Sequence, residues 1–202
     1  LESPLARGTF KETTMMFSKR FVACALAGAL GAFGLAPAVE AANAPASARD
    51  GAHDFDFDLG VWKTHITRRL HPLTGSDETM QLTGTVTVRE LWCGRGQLEE
   101  IEADGPKGHW EGMTVFLYDP QARQWSMNFA NSSVGKFNAP MIGSFENGRG
   151  ELFLQDTLDG RSILVRAVWS DITPTSHTYQ ESYSADAGRT WEVAFTAKKT
   201  KQ

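Results

Sequence analysis

An arginine within an otherwise apolar, strand-like run is the first candidate for ligand binding in this 202-residue chain. Arg166 interrupts the run 163–169, in which all the other residues are apolar. A guanidinium group is costly to bury unless it is paired, so Arg166 either points outward or meets an acid or an anionic ligand inside the fold. Candidate partners are Glu181 and Asp156 in neighbouring predicted strands. An inward Arg166 could hold an anionic group while a nearby acid moves a proton.

Aromatic and amide side chains form a second candidate group. Trp125, Asn128 and Asn131 follow one another along a predicted strand that runs into a polar Asn-Ser-Ser loop. Hydrogen-bonding side chains at the mouth of a cavity commonly orient a ligand, although a tryptophan in a strand is more often part of the core. We therefore expect a ligand-binding pocket whose wall also includes Trp169 or its neighbour, with Arg166 as the orienting group.

Other titratable side chains could have either a catalytic role or a purely structural one. His109 and Glu111 share one face of a strand, where they could form an acid–base pair or a solvated strand end. Glu99, Glu100 and Glu102 stand close to a predicted Asp-Gly turn, and we expect them on an exposed hairpin. The five histidines are scattered and no cysteine spacing fits zinc, so no metal site is expected.

These side chains must be positioned by strands, because strand-like runs alternate with turn signals over most of the chain. Gly84, in the middle of the second run, predicts a bend or bulge of the kind that helps a barrel to close. Asn147-Gly148 and Asp159-Gly160 are typical hairpin turns. The pattern predicts an all-β domain, a single antiparallel up-and-down barrel of about ten strands. The runs identified are 62–70, 78–92, 98–103, 109–118, 125–130, 151–155, 161–170, 177–184 and 190–198.

An acidic, aromatic stretch leads into the first strand. Phe55, Phe57 and Leu59 alternate with three aspartates, so an extended conformation would place the apolar side chains on one face and the carboxylates on the other. Trp62 then opens the strand as a large apolar anchor. We expect Trp62 to close one end of the barrel and the cavity to open at the opposite end, where the turn 71–77 lies.

Composition and charge limit the partners of the protein. The chain is 41% hydrophobic and 22% charged, which is ordinary for a globular domain with a sizeable core. Its formal net charge is −4, and no Lys/Arg cluster is present that could neutralise phosphates. A small molecule is therefore the expected partner, and nucleic acid is not.

The N-terminal residues do not have the pattern of a folded domain. Met15 and Met16 precede two basic residues, and the uncharged run 21–35 is too short for a transmembrane helix but suits the core of a signal peptide. Export to the periplasm or the medium would leave Cys93 as the only thiol, so no disulfide is expected within the domain. The expected organisation is a segment upstream of the translation start at 1–14, a signal peptide at 15–41, a flexible leader at 42–52 and a β-barrel domain at 53–202.

Short motifs spread over the domain resemble one protein family. They include Phe55-Asp56-Phe57-x-x-Gly60-x-Trp62, with further matches at 117–126, 130–132, 156–161, 169–174 and 188–192. On these residues the chain resembles a family of bacterial exported proteins of unknown function with calycin-like barrels, shaped like lipocalins and nitrobindins. The resemblance covers residues 53–195 and implies a ten-stranded barrel, but it implies no reaction.

Three functions fit these expectations. The first is an exported carrier or sensor that binds a small, mostly apolar molecule in its cavity, and an inward Arg166 would allow that molecule to be anionic. The second is an enzyme that uses the same cavity through Arg166 and a nearby acid or histidine. The third is a structural or interaction domain with a filled barrel. None of them requires a cofactor, although haem-binding barrels keep an axial histidine near the position of His177, which leaves haem as an alternative.

Overall fold

The computed structural model describes residues 50–202, and within them the alternating apolar pattern folds into ten strands that form a closed barrel. The predicted all-β, antiparallel barrel is therefore confirmed. The strands are β1 Gly60–Arg69, β2 Thr79–Leu91, β3 Gly96–Gly105, β4 Gly108–Asp119, β5 Gln124–Asn131, β6 Met141–Glu146, β7 Arg149–Leu158, β8 Arg161–Ser170, β9 Ser176–Ser184 and β10 Glu192–Lys201.

Each strand pairs with its neighbours in the sequence, and β1 also pairs with β10, which closes the sheet on itself. Trp62 lies opposite Val86 of β2 on one side and Lys201 of β10 on the other. The pairing of β10 with β9 shifts between Val193 and Phe195, close to the start of β10. Closure leaves neither end of the sheet as an unpaired edge.

The short strand β6 is the one that the sequence pattern does not identify. It pairs with β5 over only a few residues, from Trp125 to Met127, and then with β7. Gly143 and Ser144 stand in its middle and interrupt the apolar alternation. A short strand of this kind gives too few alternating residues for its period to be recognised.

Gly84 does not form the predicted bulge. The register of β2 runs through it without a shift, with Thr64 opposite on one side and Ala103 on the other. A Cβ atom at this position would lie 1.9 Å from the carbonyl oxygen of Glu102. Glycine is therefore needed because the backbone of β3 approaches closely, not because the strand bulges.

The predicted hairpin turns have the backbone conformation that their sequences favour. Asn147 and Gly148 have φ angles of 52° and 75°, and Asp159 and Gly160 have φ angles of 49° and 77°. Two successive positive φ angles are the mark of a type I′ turn, whose twist matches that of the strands it joins.

The residues before β1 form a 3₁₀ helix, Asp56–Asp58, and not the extended segment that the alternation predicts. Residues 55–59, here called the plug, occupy the end of the barrel where β1 begins. Side chains three residues apart lie on the same side of a 3₁₀ helix, so Phe55 and Asp58 are both buried. The expectation that all three carboxylates face away from the core is therefore wrong for Asp54 and Asp58, which are buried, and holds for Asp56, which is exposed.

Phe55 is the centre of an aromatic cluster that fills the closed end. Its ring centroid lies 4.6 Å from that of Phe116, 5.1 Å from Trp125, 4.8 Å from Phe145 and 4.9 Å from Trp169. The mostly tilted and edge-to-face geometry is the one that aromatic pairs prefer. Aromatic side chains of β4, β5, β6 and β8 therefore pack around the Phe55 ring of the plug.

The expected upstream segment, the signal peptide and the leader as far as residue 49 lie outside the described residues. Between residues 50 and 202, no helix is long and apolar enough to span a lipid bilayer.

Trp62→Ala is expected to lower the free energy of unfolding by about 3–5 kcal/mol, the range for removing a large buried aromatic side chain. Trp62 is 0% exposed, and its Nε1 donates a hydrogen bond of 2.6 Å to the carbonyl oxygen of Asp58 in the plug. Urea denaturation would measure the change. Trp92→Ala is the control, because Trp92 is 64% exposed and its loss should cost less than about 0.5 kcal/mol. A loss below about 1 kcal/mol for Trp62→Ala would contradict its role in closing the barrel.

Candidate functional site

The barrel encloses a cavity of about 450 Å³, which is within the size range of small-molecule sites. Its open end carries Leu70 and Pro72, from the connection between β1 and β2, and Leu158, the last residue of β7, all at the far end of the barrel from Trp62. The predicted opening opposite Trp62 is therefore confirmed. Apolar and aromatic side chains form most of the wall, among them Ile66, Trp110, Phe116, Phe129, Trp169 and Phe195.

Three alternate residues of β9 bring one carboxyl group and two phenols to the cavity wall. The hydroxyl of Tyr179 donates a hydrogen bond to Glu181 Oε2, and that of Tyr183 donates one to Oε1, each at 3.1 Å. We call these three residues the carboxyl site. Burial raises the pKa of Glu181 and outweighs the two tyrosine hydrogen bonds, which favour the ionised form. Burial also raises the pKa of both tyrosines, so the phenols stay neutral donors.

Glu181 has no basic side chain in ion-pair contact within the part of the chain that the structure describes. Arg68 acts on it only through space, and favours the ionised carboxylate. The strand register explains the separation, because Arg68 lies opposite Phe195 and Phe195 lies opposite Glu181. The Phe195 position therefore stands between the guanidinium group and the carboxylate.

The inner end of the cavity is formed by buried polar side chains that bind one another. Lys199 Nζ donates a hydrogen bond to Glu99 Oε2 and another of 3.1 Å to Asp58 Oδ1. Burial would lower the pKa of Lys199, but the two carboxylates outweigh it and raise the pKa. Burial likewise opposes the charge of Asp58, but Lys199 and His177 hold its pKa below the ordinary value. Lys199 is therefore a bound ammonium group and not a free amine that could act as a nucleophile.

Glu99 does not lie on the exposed hairpin expected from the sequence. It is 6% exposed, and its Oε1 accepts a hydrogen bond of 2.9 Å from the Thr114 hydroxyl. Its neighbour Glu100 lies on the outer surface and binds Arg89 at 2.8 Å. Because side chains alternate along β3, Glu99 points inward and binds Lys199, whereas Glu100 points outward.

One polar atom at the inner end has no protein partner. Thr64 is fully buried and lines the cavity, and its Oγ1 makes no hydrogen bond within residues 50–202. Thr64 lies opposite Lys199 in the pairing of β1 with β10. A buried hydroxyl group without a partner costs free energy, and a ligand atom at this position would satisfy it.

The mouth of the cavity carries charges of both signs. Arg69 is occupied, since its guanidinium group binds Asp77 at 3.0 Å and the main chain of the turn after β1. Arg68 is exposed and makes no hydrogen bond or ion pair within the described part of the chain. Asp156, an exposed residue of β7, lines the same mouth.

Arg166 lies on the outer face of the barrel, so its predicted place in the pocket wall is wrong. Its guanidinium carbon is 4.4 Å from the centroid of the Trp191 ring, a cation–π contact. The predicted pairing with Glu181 is also wrong, because Arg166 lies opposite Ser182 and Glu181 lies opposite Ala167. The cause is the alternation of β8, whose cavity-facing and core positions are Ile163, Val165, Ala167 and Trp169.

The other predicted ligand-binding residues divide between cavity, core and surface. Trp169 of β8 and Glu181 of β9 line the wall of the cavity, and Asn131 lines its mouth. Trp125 is buried in the closed-end core instead, where its Nε1 donates a hydrogen bond of 2.9 Å to the carbonyl oxygen of Gly51. Asn128 is absent from the cavity lining, and its side chain donates to the main chain of β4 at 3.0 Å.

His177 does not line the cavity. Its Nε2 lies 3.2 Å from Asp58 Oδ1, and its ring packs 5.0 Å from that of Phe57 and 4.8 Å from that of Trp62, measured between centroids. The ring is therefore held under the plug by Asp58, Phe57 and Trp62.

His109 and Glu111 form the solvated strand end, one of the two alternatives for this pair. His109 Nδ1 lies 3.0 Å from Asp104 Oδ1 and His109 Nε2 lies 4.0 Å from Glu111 Oε1, and all three side chains are exposed. The hydrogen bond with Asp104 raises the pKa of His109. Within residues 50–202, no group of three or more His, Cys, Asp or Glu side chains is placed to hold a metal ion.

Sequence reasoning missed most of the polar groups of the cavity. The Tyr-x-Glu-x-Tyr alternation at residues 179–183 could have indicated the carboxyl site, because it places three polar side chains on one strand face. Lys199 gives no such local signal, since its partner Asp58 is 141 residues away. Thr64 and Arg68 follow the inward alternation of Trp62, but threonine and arginine at strand positions are also common on outer faces.

No family model matches the chain, and no curated protein matches it. Among solved structures, a redesigned β-barrel bound to DFHBI is similar, with 12% identity and a TM-score of 0.41 over 72% of this chain and 99% of that chain. An S-type phycobiliprotein lyase from Guillardia theta is similar with 10% identity and a TM-score of 0.49, over 73% of this chain and 90% of that chain.

Glu181→Gln is expected to stabilise the unliganded barrel at neutral pH and to change its stability little near pH 4. Because the folded-state pKa of Glu181 is raised above the ordinary 4.5, the folded protein binds this proton more tightly than the unfolded chain does. The contribution of Glu181 to wild-type stability therefore falls as pH rises through the interval between the two pKa values, and glutamine has no proton to lose. The stability difference should grow across that interval and then level off.

Urea denaturation at a series of pH values would measure this difference. Glu146→Gln, which changes an exposed carboxyl group, is the matched control and should follow the wild-type profile. If the profiles of the wild type and Glu181→Gln run parallel throughout, the carboxyl of Glu181 is not held in an unfavourable environment.

Proposed function

We propose that the protein is an exported carrier or sensor that binds a small, mostly apolar molecule in the barrel cavity. The observation that carries this proposal is the cavity of about 450 Å³, which is open at one end and lined mainly by apolar and aromatic side chains. A few convergent polar groups interrupt that lining, as is usual in small-molecule sites. A structural domain with a filled barrel would need side chains to occupy this space.

The polar part of the ligand should differ from the one expected from the sequence. An anionic ligand depended on an inward Arg166, and that side chain packs on Trp191 outside the barrel. Lys199 and Glu99 are paired with each other at the inner end, and the other inward polar groups include the carboxyl site in the wall and the hydroxyl of Thr64. These groups favour a ligand that donates hydrogen bonds to the wall.

A second candidate function, an enzyme that uses the same cavity, is favoured by one observation. Glu181 has a raised pKa inside an apolar cavity, and such a carboxyl group is suited to proton transfer. The reaction would then depend on Glu181 and the two tyrosines, since Arg166 is not available to hold a substrate.

Export is proposed from the N-terminal sequence. The basic pair Lys19-Arg20 precedes the uncharged run 21–35, and Val39-Glu40-Ala41 has the small-x-small pattern of a cleavage site. The resemblance to a family of bacterial exported proteins agrees with this proposal. Cleavage after Ala41 would remove Cys24 and leave Cys93 as the remaining cysteine of the sequence given.

The proposed binding function predicts that filling the cavity abolishes binding. Ala197→Trp adds a large side chain to the wall, so the affinity for N-phenylnaphthylamine, a neutral apolar fluorophore, should fall about tenfold or more in a fluorescence titration. Thr196→Trp is the matched control, because the neighbouring residue lies outside the cavity lining, and its affinity should stay within about threefold of the wild type. Equal affinities for the wild type and Ala197→Trp would contradict binding in the cavity.

Native mass spectrometry of protein from its own host should detect a retained ligand.

The export proposal predicts a mature chain that starts near Ala42. N-terminal sequencing of periplasmic or secreted protein would give the first residue. A mature protein that still carries Met15 would contradict signal-peptide removal.

A further inference from the structure

We infer that the molecule held in this cavity carries a protonated amine that binds the carboxylate of Glu181. This inference deepens the proposed function and rests on it. It names the chemical class of the ligand, an apolar body with one cationic nitrogen, and the side chain that recognises it.

The first argument compares the binding partners of the acidic side chains that point into the barrel. Asp58 and Glu99 are buried, and both are bound by the ammonium group of Lys199. Glu181 is the inward acid that has hydrogen bonds only from two neutral phenols. A carboxylate removed from water is stable when a cation neutralises it, and within the described residues the protein supplies no cation in contact with Glu181. An ammonium group on the ligand would supply it.

The second argument is the geometry around the carboxyl group. Each oxygen of Glu181 accepts one hydrogen bond from a tyrosine, and each carboxylate oxygen can accept a second. An alkylammonium group has three N–H donors, so it could bind both oxygens without displacing either tyrosine. The tyrosines then hold the carboxylate in one orientation toward the cavity.

The third argument is the aromatic surroundings. The Tyr179 ring centroid lies 4.9 Å from that of Trp169 and 5.9 Å from that of Phe195, and all three residues line the cavity. Aromatic faces attract ammonium groups, most strongly where water is excluded. The same rings provide apolar surface for the rest of the ligand.

The other charged groups that face the cavity are compatible with this class of ligand. Lys199 and Glu99 neutralise each other at the inner end, and Arg69 is bound by Asp77. At the mouth, Asp156 adds a second negative charge, while Arg68 opposes a cation. Arg68 is exposed and separated from Glu181 by the Phe195 position, so water screens its charge.

Three probes of equal chain length test the inference: decylamine, decanol and decanoate. Each would be titrated by calorimetry, or by displacement of N-phenylnaphthylamine, at neutral pH. Decylamine should bind at least about tenfold more tightly than decanol, because it forms a charge-assisted hydrogen bond with a carboxylate that is partly buried in the cavity wall. Decanoate should bind more weakly than decanol, because its charge would meet that of Glu181.

Two variants assign the preference to a residue. Glu181→Gln keeps the shape of the side chain and removes its charge, so it should reduce the preference for decylamine over decanol to less than about threefold while decanol still binds. Arg68→Gln is the matched control at the mouth, and it should keep or increase the preference for decylamine. Acidification should weaken the binding of decylamine to the wild type as Glu181 takes up a proton, and this dependence should be reduced in Glu181→Gln.

The outcomes separate this inference from the proposed function. Equal affinities for the three probes would contradict an amine ligand and leave the proposal of a small-molecule carrier standing. The same holds if decanoate binds most tightly and its binding is lost in Arg68→Gln. Preference for decylamine that persists in Glu181→Gln would overturn the assignment to Glu181. Failure of all three probes to bind would overturn both the amine and the cavity function.

Discussion

The closed end of the barrel depends on one buried ammonium group. Lys199 of β10 binds Asp58 in the plug and Glu99 in β3, so a single side chain ties together three distant parts of the chain. Loss of one member of a buried charge group costs about 3–5 kcal/mol, because the remaining charges stay unpaired in a medium of low dielectric constant. The plug is therefore held in place, and it carries Phe55 into the centre of the aromatic cluster. The charge cluster and the plug lie at the same end of the barrel, and the cavity opens at the other end.

The contrast between the inward acids connects the fold to function. Where two carboxylates meet Lys199, the protein satisfies its own charges and the result is structural. Where Glu181 meets only Tyr179 and Tyr183, the carboxyl group is oriented but not neutralised. An oriented polar group in an apolar cavity is prepared for a ligand, since the cost of its burial is already included in the stability of the barrel.

Much of the fold could be predicted from the sequence because strand alternation and turn chemistry are local. The two Asn-Gly and Asp-Gly turns needed only their own residues to specify a hairpin. The inward face of β8 could not be chosen in the same way, because Leu164 and Val168 on one face are as apolar as Ile163 and Val165 on the other. Trp191, from outside that strand, gives Arg166 a partner on the outer surface. Of the residues that the sequence suggested for the site, the structure places Trp169, Glu181 and Asn131 at the cavity.

The pairing of β1 with β10 also has a consequence for how the protein folds. Lys199 and Asp58 are 141 residues apart, and contacts of such long separation form slowly because the chain between them must first lose its conformational freedom. A chain synthesised from its N-terminus keeps an open β1 edge until β10 has been made, and open edges favour association with other chains. Pairing of β10 with β1 is therefore the folding step that removes the open strand edges and encloses the cavity.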